Sequence, residues 1–206
     1  MTDLAWRTFG SPVGQLSVAC SDLGVARVSF GLSPERSTGP SRQSAGPSRQ
    51  SAGPSGRPGS SGRLSLLAAA CDQLAGYFAG RRRAFDLPID WSMASRVQLP
   101  VLSVLFDTVG YGETITYGSL ARHAGLGDGG PTLPARAVGT IMGSNPWPLI
   151  VPCHRVVAGD GLGGYSGGTG IEIKRWLLIF EGALPATLDW DPARAQVFHG
   201  WTGEPG

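Results

Sequence analysis

The chain has 206 residues, 41% of them hydrophobic, with 17 basic against 15 acidic side chains and a formal charge of +2. That is enough apolar chain for one large or two small buried cores, whereas no run approaches the roughly 20 apolar residues of a membrane span. The N-terminus lacks a signal-peptide core, and three widely spaced cysteines without a C-x-x-C pair encode neither a disulfide framework nor a zinc knuckle. A soluble, cytoplasmic protein with no metal and no cofactor is therefore expected.

Residues 5–30 read as a β-meander. Strands at 6–9, 16–20 and 25–30 are joined by turns at 10–14 and 21–24, and the last alternates apolar and polar residues as a half-buried strand does. Cys20 falls at a strand end and reads as core. Composition then shifts abruptly: residues 31–63 are dominated by Gly, Pro, Ser and Arg, and the unit Gly-Pro-Ser-Arg-Gln-Ser-Ala occurs at 39–45 and 46–52, with a third copy starting at 53–55. Such a segment cannot bury enough apolar surface to offset its chain entropy, so a disordered, mildly basic spacer is expected. From 64 to 80, Leu67, Cys71, Leu74 and Tyr77/Phe78 have helical spacing that stops at Gly80, with Cys71 on the apolar face. A solvated Arg81-Arg82-Arg83 turn precedes a last expected strand at 85–90, and an α/β N-terminal domain ends near Trp91.

In the second half, Val97, Val101, Leu102, Leu105 and Phe106 predict a helix closed by a turn at 110–112. A short helix follows at 116–124 with Gly125 just past it, then a Gly- and Pro-rich loop at 126–134 and a second helix at 135–143. Two short helices joined by a turn are the outline of a helix-turn-helix, and Ala135, Ala137, Gly139 and Gly143 would let the second helix approach another surface closely. His123 is expected to cap its helix or face solvent. Residues 93–183 carry six basic and six acidic side chains, against ten and six in 1–92, so charge balance alone marks no nucleic-acid surface there.

The apolar run Pro148-Leu149-Ile150-Val151 suggests a short buried strand that Pro152 terminates, which sets Cys153 at a rigid corner beside His154. An imidazole next to a thiol can raise its thiolate fraction and make it a nucleophile. An isolated Cys-His pair is equally a small core cysteine beside a histidine, so the surrounding motifs have to decide.

Those motifs are ordered. Tyr111-Gly112-Glu113-Thr114, Tyr117, Arg136-Ala137-Val138-Gly139, Ser144-Asn145-Pro146, the stretch 150–157 around Pro152-Cys153-His154-Arg155, Gly164-Tyr165-Ser166-Gly167-Gly168, Lys174-Arg175-Trp176-Leu177-Leu178 and Glu181-Gly182 together resemble the O6-alkylguanine-DNA alkyltransferases. The segment at 10–16 resembles the start of that family's α/β domain. The resemblance implies an N-terminal α/β domain at 1–92, a mostly α, winged-helix-like catalytic and DNA-binding domain with a helix-turn-helix at 93–183, and a tail at 184–206. It implies a single-turnover repair protein, acting as a monomer on double-stranded DNA through the minor groove.

By the same resemblance Cys153 is the alkyl acceptor, His154 its base through a water, Glu181 the orienter of that imidazole, and Tyr117 the hydroxyl that donates toward the departing guanine. Asn145 braces the turn. Arg136 fills the stack vacated by a flipped base, with Ala135, Ala137, Gly139, Thr116 and Tyr117 as further DNA contacts. Met142, Val156, Tyr165 and Ser166 form the base pocket, the carbonyls of Cys153 and Val156 reading guanine edges. Against the family pattern, Val97-Gln98 and Val101-Leu102 replace Phe-Gln and Val-Trp, the 126–134 connection is longer, and the insert at 31–63 is atypical. A lesion-binding relative without transfer activity, a helix-turn-helix regulator and a cysteine hydrolase are the competing readings.

Overall fold

The computed structural model describes residues 3–31, 60–127, 132–167 and 170–186. The expected meander is present: β1 (Ala5–Ser11), β2 (Gly14–Cys20) and β3 (Val25–Phe30) form an antiparallel sheet in that order, with Trp6 opposite Ala19 and Val18 opposite Val28. The central strand is the most buried because α1 (Ser60–Phe78) lies across it, packing Leu67, Ala70, Cys71, Leu74, Tyr77 and Phe78 inward. Burial pushes the Cys20 thiol up to about 12 and the Cys71 thiol to about 11, so both are inert core groups at neutral pH.

The helix starts earlier than the sequence suggested, and residues 60–63 belong to it rather than to the insert. Arg63 explains why: buried at its side chain, it meets the carboxylates of Asp3 at 3.1 Å and Asp22 at 2.9 Å and pins the first turn to the sheet. The seven-residue repeats at 39–55 lie outside the described residues, as do residues 128–131 of the 126–134 connection and the tail from 187.

The strand expected at 85–90 is reduced to one parallel bridge between Val25 and Ile89. Pro88 has no N–H to extend a ladder, although its carbonyl accepts from Val25 N at 2.8 Å. Asp90 is instead a cap: its side chain accepts from Ser92 N at the start of the 3-10 turn Trp91–Met93 and from the Ser21 hydroxyl.

The second half is helical, as expected. In α2 (Leu99–Thr108) the inward stripe is Val101, Leu102 and Leu105; Val97 precedes the helix and is 69% exposed, so it is not part of that stripe. Pro100 sits in the first turn, where its missing N–H costs nothing. The two-residue strand β4 (Ile115–Thr116) runs into α3 (Tyr117–His123), which packs against α4 (Thr132–Gly143), and pairs in parallel with β5 (Val156–Val157). His123 is exposed in the last turn of α3, its Nδ1 2.8 Å from the Ser119 carbonyl. α5 (Ile171–Phe180) closes the chain described; Gly182 adopts φ +78°, which lets Ala183 N turn back to the Leu178 carbonyl at 2.8 Å. No helix among the described residues is long and apolar enough to cross a membrane.

The two halves meet where the functional turn begins. Val28 N of β3 donates to Pro146 O at 2.8 Å, and the fully buried Trp147 donates from Nε1 to Val25 O at 2.8 Å while packing edge-on to Trp91. Residues 148–151 are not the expected strand. They form a turn in which Val151 N bonds Trp147 O at 2.8 Å and Leu149, buried, takes φ +75°. Prolines at 146, 148 and 152 remove the donors a strand would need, so the apolar run reports burial alone. A non-glycine residue in the left-handed region costs on the order of 1–3 kcal/mol, a strain the packed surroundings must hold four residues before Cys153.

Candidate active site

Cys153 opens the 3-10 turn Cys153–Arg155. Its N–H donates to Val151 O at 2.8 Å, and the Val156 N–H returns to the Cys153 carbonyl. Asn145 clamps this corner from both sides, donating from Nδ2 to Val151 O at 2.8 Å and accepting from Trp147 N at 3.0 Å. Asn145 thereby ties residues 147 and 151 of the turn together.

Cys153 is 4% exposed. Burial pushes the thiol above its ordinary value, while the polar groups of Asn145 and Tyr165 and the Lys174 ammonium oppose the shift. The Tyr165 hydroxyl forms no well-aligned hydrogen bond, which leaves it free to favour a thiolate when one forms. At rest Cys153 is therefore a protonated thiol.

The next residue in the chain carries an imidazole. His154 is fully buried, and burial lowers its pKa against the pull of Glu181, so the imidazole is neutral near neutral pH. Its Nε2 lies 3.0 Å from Glu181 Oε1, and a carboxylate oxygen can only accept, which places the proton on Nε2. Nδ1 is then a lone-pair acceptor, and it is buried without a partner.

Glu181 caps α5 and gathers a dense set of donors. Arg155 forks onto it, with Nε to Oε2 and Nη2 to Oε1, both at 2.9 Å; Tyr77 donates to Oε1 at 2.7 Å and Gly112 N to Oε2 at 3.4 Å. Burial raises a carboxyl pKa, but the hydrogen bonds and charges of His154 and Arg155 outweigh it and hold Glu181 well below the usual carboxylate range.

Beside the sulfur a cleft of about 950 Å³ opens, lined by Tyr117, Ala135, Arg136, Gly139, Met142, Tyr165 and Ser166 as well as Cys153. Its size is in the range of small-molecule and cofactor pockets. A smaller cavity of about 320 Å³ reaches Cys153 from the β3 side, past Arg27, Ser29 and Pro148. Phe30 of β3 packs edge-on to Tyr165 at 6.4 Å, and Ser166 Oγ donates to Gly143 O at 3.0 Å, so the cleft wall is fixed from two directions.

Tyr117 is held across the cleft by its own donation to Gly164 O at 3.0 Å and by Lys174. Lys174 is fully buried; its Nζ donates to Val156 O at 2.7 Å, Gly164 O at 3.1 Å and Tyr117 Oη at 3.4 Å, and burial lowers its pKa to about 8. Gly163 has φ +68°, and a Cβ there would sit 2.8 Å from the Tyr117 ring, so only glycine lets this loop close over the tyrosine.

Cys153, His154, Glu181 and Asn145 thus converge in the turn, while Tyr117, Ala135, Arg136, Gly139, Met142, Tyr165 and Ser166 surround one cleft. Three of the expected residues do not line the cleft. Val156 is buried off the cleft wall and its carbonyl accepts from Lys174; Ala137 is exposed but not on the cleft; and the Thr116 hydroxyl is the N-cap of α3, accepting from Ser119 N at 3.1 Å. Sequence reasoning missed Tyr77, Lys174, Phe30 and the part played by Arg155. Arg155 and Lys174 stood inside the recognised motifs, whereas Tyr77 looked like one more apolar residue of a helix stripe.

Similarity to known proteins covers nearly all of the described chain. The family model described as 6-O-methylguanine DNA methyltransferase, DNA binding domain, matches residues 97–183, and the one described as its ribonuclease-like domain matches residues 4–91. A DNA base-flipping protein of Thermus thermophilus is 36% identical over 84% of this chain and 97% of its own length. A methylated-DNA--protein-cysteine methyltransferase of Mycobacterium tuberculosis is 38% identical over 85% and 91%. In three dimensions the crystal structure of Mycobacterium tuberculosis OGT in complex with DNA superposes with a TM-score of 0.63 at 33% identity, covering 86% of this chain and 92% of that one.

Proposed function

The chain belongs to the 6-O-methylguanine DNA methyltransferase family, and from that premise we propose that it repairs DNA by moving the alkyl group of O6-alkylguanine, chiefly methyl, onto its own Cys153 in a single turnover. One observation carries the reading: a thiol that lines a cleft of about 950 Å³ is followed in the chain by a neutral imidazole whose Nε2 is fixed by Glu181 and whose Nδ1 is left unpaired.

The steps follow from that geometry. His154 Nδ1 accepts the thiol proton through a water, and the imidazolium is stabilised by Glu181. Cys153 Sγ attacks the alkyl carbon, forming S–C as C–O6 breaks, so the sulfur keeps the alkyl group and guanine leaves as an anion. Tyr117 Oη, released from Gly164 O, donates toward the ring nitrogen as that charge develops. The proton the thiol lost balances the one the guanine ring regains. Because the thioether has no leaving step, the protein acts once.

The target atom is inside a stacked duplex, and extruding the nucleotide costs a few kcal/mol. Arg136, exposed on α4 at the cleft rim, is the residue proposed to occupy the vacated stack, its planar cation replacing the base. Ala135 and Gly139 on the same face support close approach of α4, as recognition helix, to the minor groove. A division into domains at residues 92 and 93, a monomeric state and a cytoplasmic location, where a working thiol stays reduced, complete the proposal. A relative bearing a base-flipping name makes lesion recognition without transfer the second reading, and the presence of Cys153 with His154 and Glu181 is what favours transfer.

Arg136→Ala is expected to slow repair of a methylated duplex by about tenfold or more, the scale of a lost flipping contribution, while changing dealkylation of a free O6-alkylguanine base little. Single-turnover rates on the two substrates check this; equal losses on both would remove Arg136 from the flipping step.

A further inference from the structure

Tyr77 lies near the end of α1, in the half of the chain to which no site residue was expected to belong, yet its hydroxyl donates to Glu181 Oε1 at 2.7 Å. That oxygen also receives His154 Nε2 at 3.0 Å and Arg155 Nη2 at 2.9 Å. Resting on the reading of His154 as the base, we propose that Tyr77 is a positioning residue of the transfer site: by occupying Glu181 Oε1 it fixes the carboxylate and limits how tightly that carboxylate holds a proton on His154.

The hydroxyl cannot turn away. The ring is 1% exposed and clamped by Phe78, Phe85, Tyr111 and Phe180, whose ring centroids lie 5.1, 5.6, 6.1 and 5.5 Å from its own. A hydrogen bond from a buried phenol to a carboxylate is of the strong, charge-assisted kind. Three donors therefore share the negative charge of one oxygen. Removing the phenol concentrates that charge on His154 Nε2–H and stabilises the imidazolium, which raises the proton affinity of His154.

The neighbouring charged groups can be named, and of them Lys174, at about 8, titrates nearest to neutral pH. His154 faces Glu181, Arg155 and Lys174, and Tyr77 faces Glu181, Arg155 and Tyr111. The two-point fork of Arg155 keeps Glu181 ionised and in place when the phenol is lost, so the proton goes to the imidazole rather than to the carboxyl. Since transfer needs a neutral Nδ1, the acid limb of the rate profile moves to higher pH. At any pH well below that limb, a variant whose limb stands one pH unit higher transfers the alkyl group about tenfold more slowly.

The test compares the full-length protein with Tyr77→Phe and with Phe85→Leu, which loosens the same aromatic cluster but keeps the hydroxyl. Two quantities are read: the His154 imidazole titration by NMR, and the single-turnover rate on methylated duplex against pH. Tyr77→Phe is expected to raise the His154 midpoint and the acid limb together by about one pH unit, and Phe85→Leu to lower thermal stability while leaving both where they are. Unmoved midpoints in Tyr77→Phe, or equal changes in Phe85→Leu, would overturn the proposal and reduce Tyr77 to a filler of the interface. The NMR arm does not depend on activity: a raised His154 midpoint in a protein that never acquires an alkyl group would uphold the coupling and sink the transfer reading instead.

Discussion

Replacing Cys153 with alanine should abolish alkyl transfer completely while leaving a folded protein that still binds O6-methylguanine duplex. The loss is total because the S–C bond is the reaction; no neighbouring group can accept the alkyl in its place, since Cys20 and Cys71 are buried with thiols pushed up to about 12 and 11. Fold is retained because the turn is held by backbone and Asn145 contacts that do not involve the sulfur. Loss of one buried sulfur atom should cost only about 1 kcal/mol. Fluorescence anisotropy with lesion-bearing and unmodified duplexes measures the retained binding, and intact mass measures the lost transfer. A mass gain that survives Cys153→Ala would place the acceptor elsewhere.

Glu181→Gln should have the largest structural effect. An amide keeps the shape but offers one acceptor oxygen where Tyr77, His154, Gly112 and the Arg155 fork need two, and its NH2 would face the N–H groups of Arg155 or His154. Breaking a buried ion pair at one partner typically costs about 3–5 kcal/mol, which a denaturation midpoint would show directly. Transfer should slow by roughly 10²–10⁴, the range attributed to general acid-base assistance, as the imidazole loses its orienter.

The pH dependence of stability carries a second signature. Because the folded-state pKa of Glu181 is depressed, its contribution is full above the unfolded-state value near about 4.3 and is lost as pH falls toward the folded-state value. His154 is likewise depressed, from an ordinary value of about 6.5, so its share begins to fade as pH drops below that. The parent should therefore lose stability on acidification in two stages, and Glu181→Gln should weaken the lower one, to which Asp90 still contributes because hydrogen bonds from Ser21 and Ser92 outweigh its burial. An identical acid profile in the variant would mean that Glu181 is not the anchored carboxylate the geometry describes.

What the sequence made legible were elements whose signal is local or whose motif is contiguous. The meander followed from alternation and turn residues, α1 from the spacing of Leu67, Cys71 and Leu74, and the grouping of Cys153 with His154, Asn145 and Glu181 from ordered motifs rather than from the Cys-His pair itself. The failures have a common cause. The apolar runs at 85–90 and 148–151 signal burial, but prolines at 88, 148 and 152 withhold the donors that a ladder requires, so the same apolar pattern is burial without strand pairing. Tyr77 was invisible for the opposite reason: its periodicity placed it correctly in the core, and only tertiary packing reveals that the core at that point contains a carboxylate 104 positions further along the chain. Lys174 similarly reads as a charge on a helix face until the fold buries it beneath Tyr117.

The thiol that the motif singled out is thus one end of a chain of contacts, from Cys153 and His154 through Glu181 and Arg155 to Tyr77 in the other half of the molecule. The most direct test of its purpose is the intact mass of the purified protein after incubation with excess duplex containing a single O6-methylguanine, followed by peptide mapping. The expected result is a gain of one methyl group in place of one hydrogen, once per molecule, located on Cys153. Continued turnover without a mass change, or a methyl group on any other residue, would contradict single-turnover transfer to Cys153.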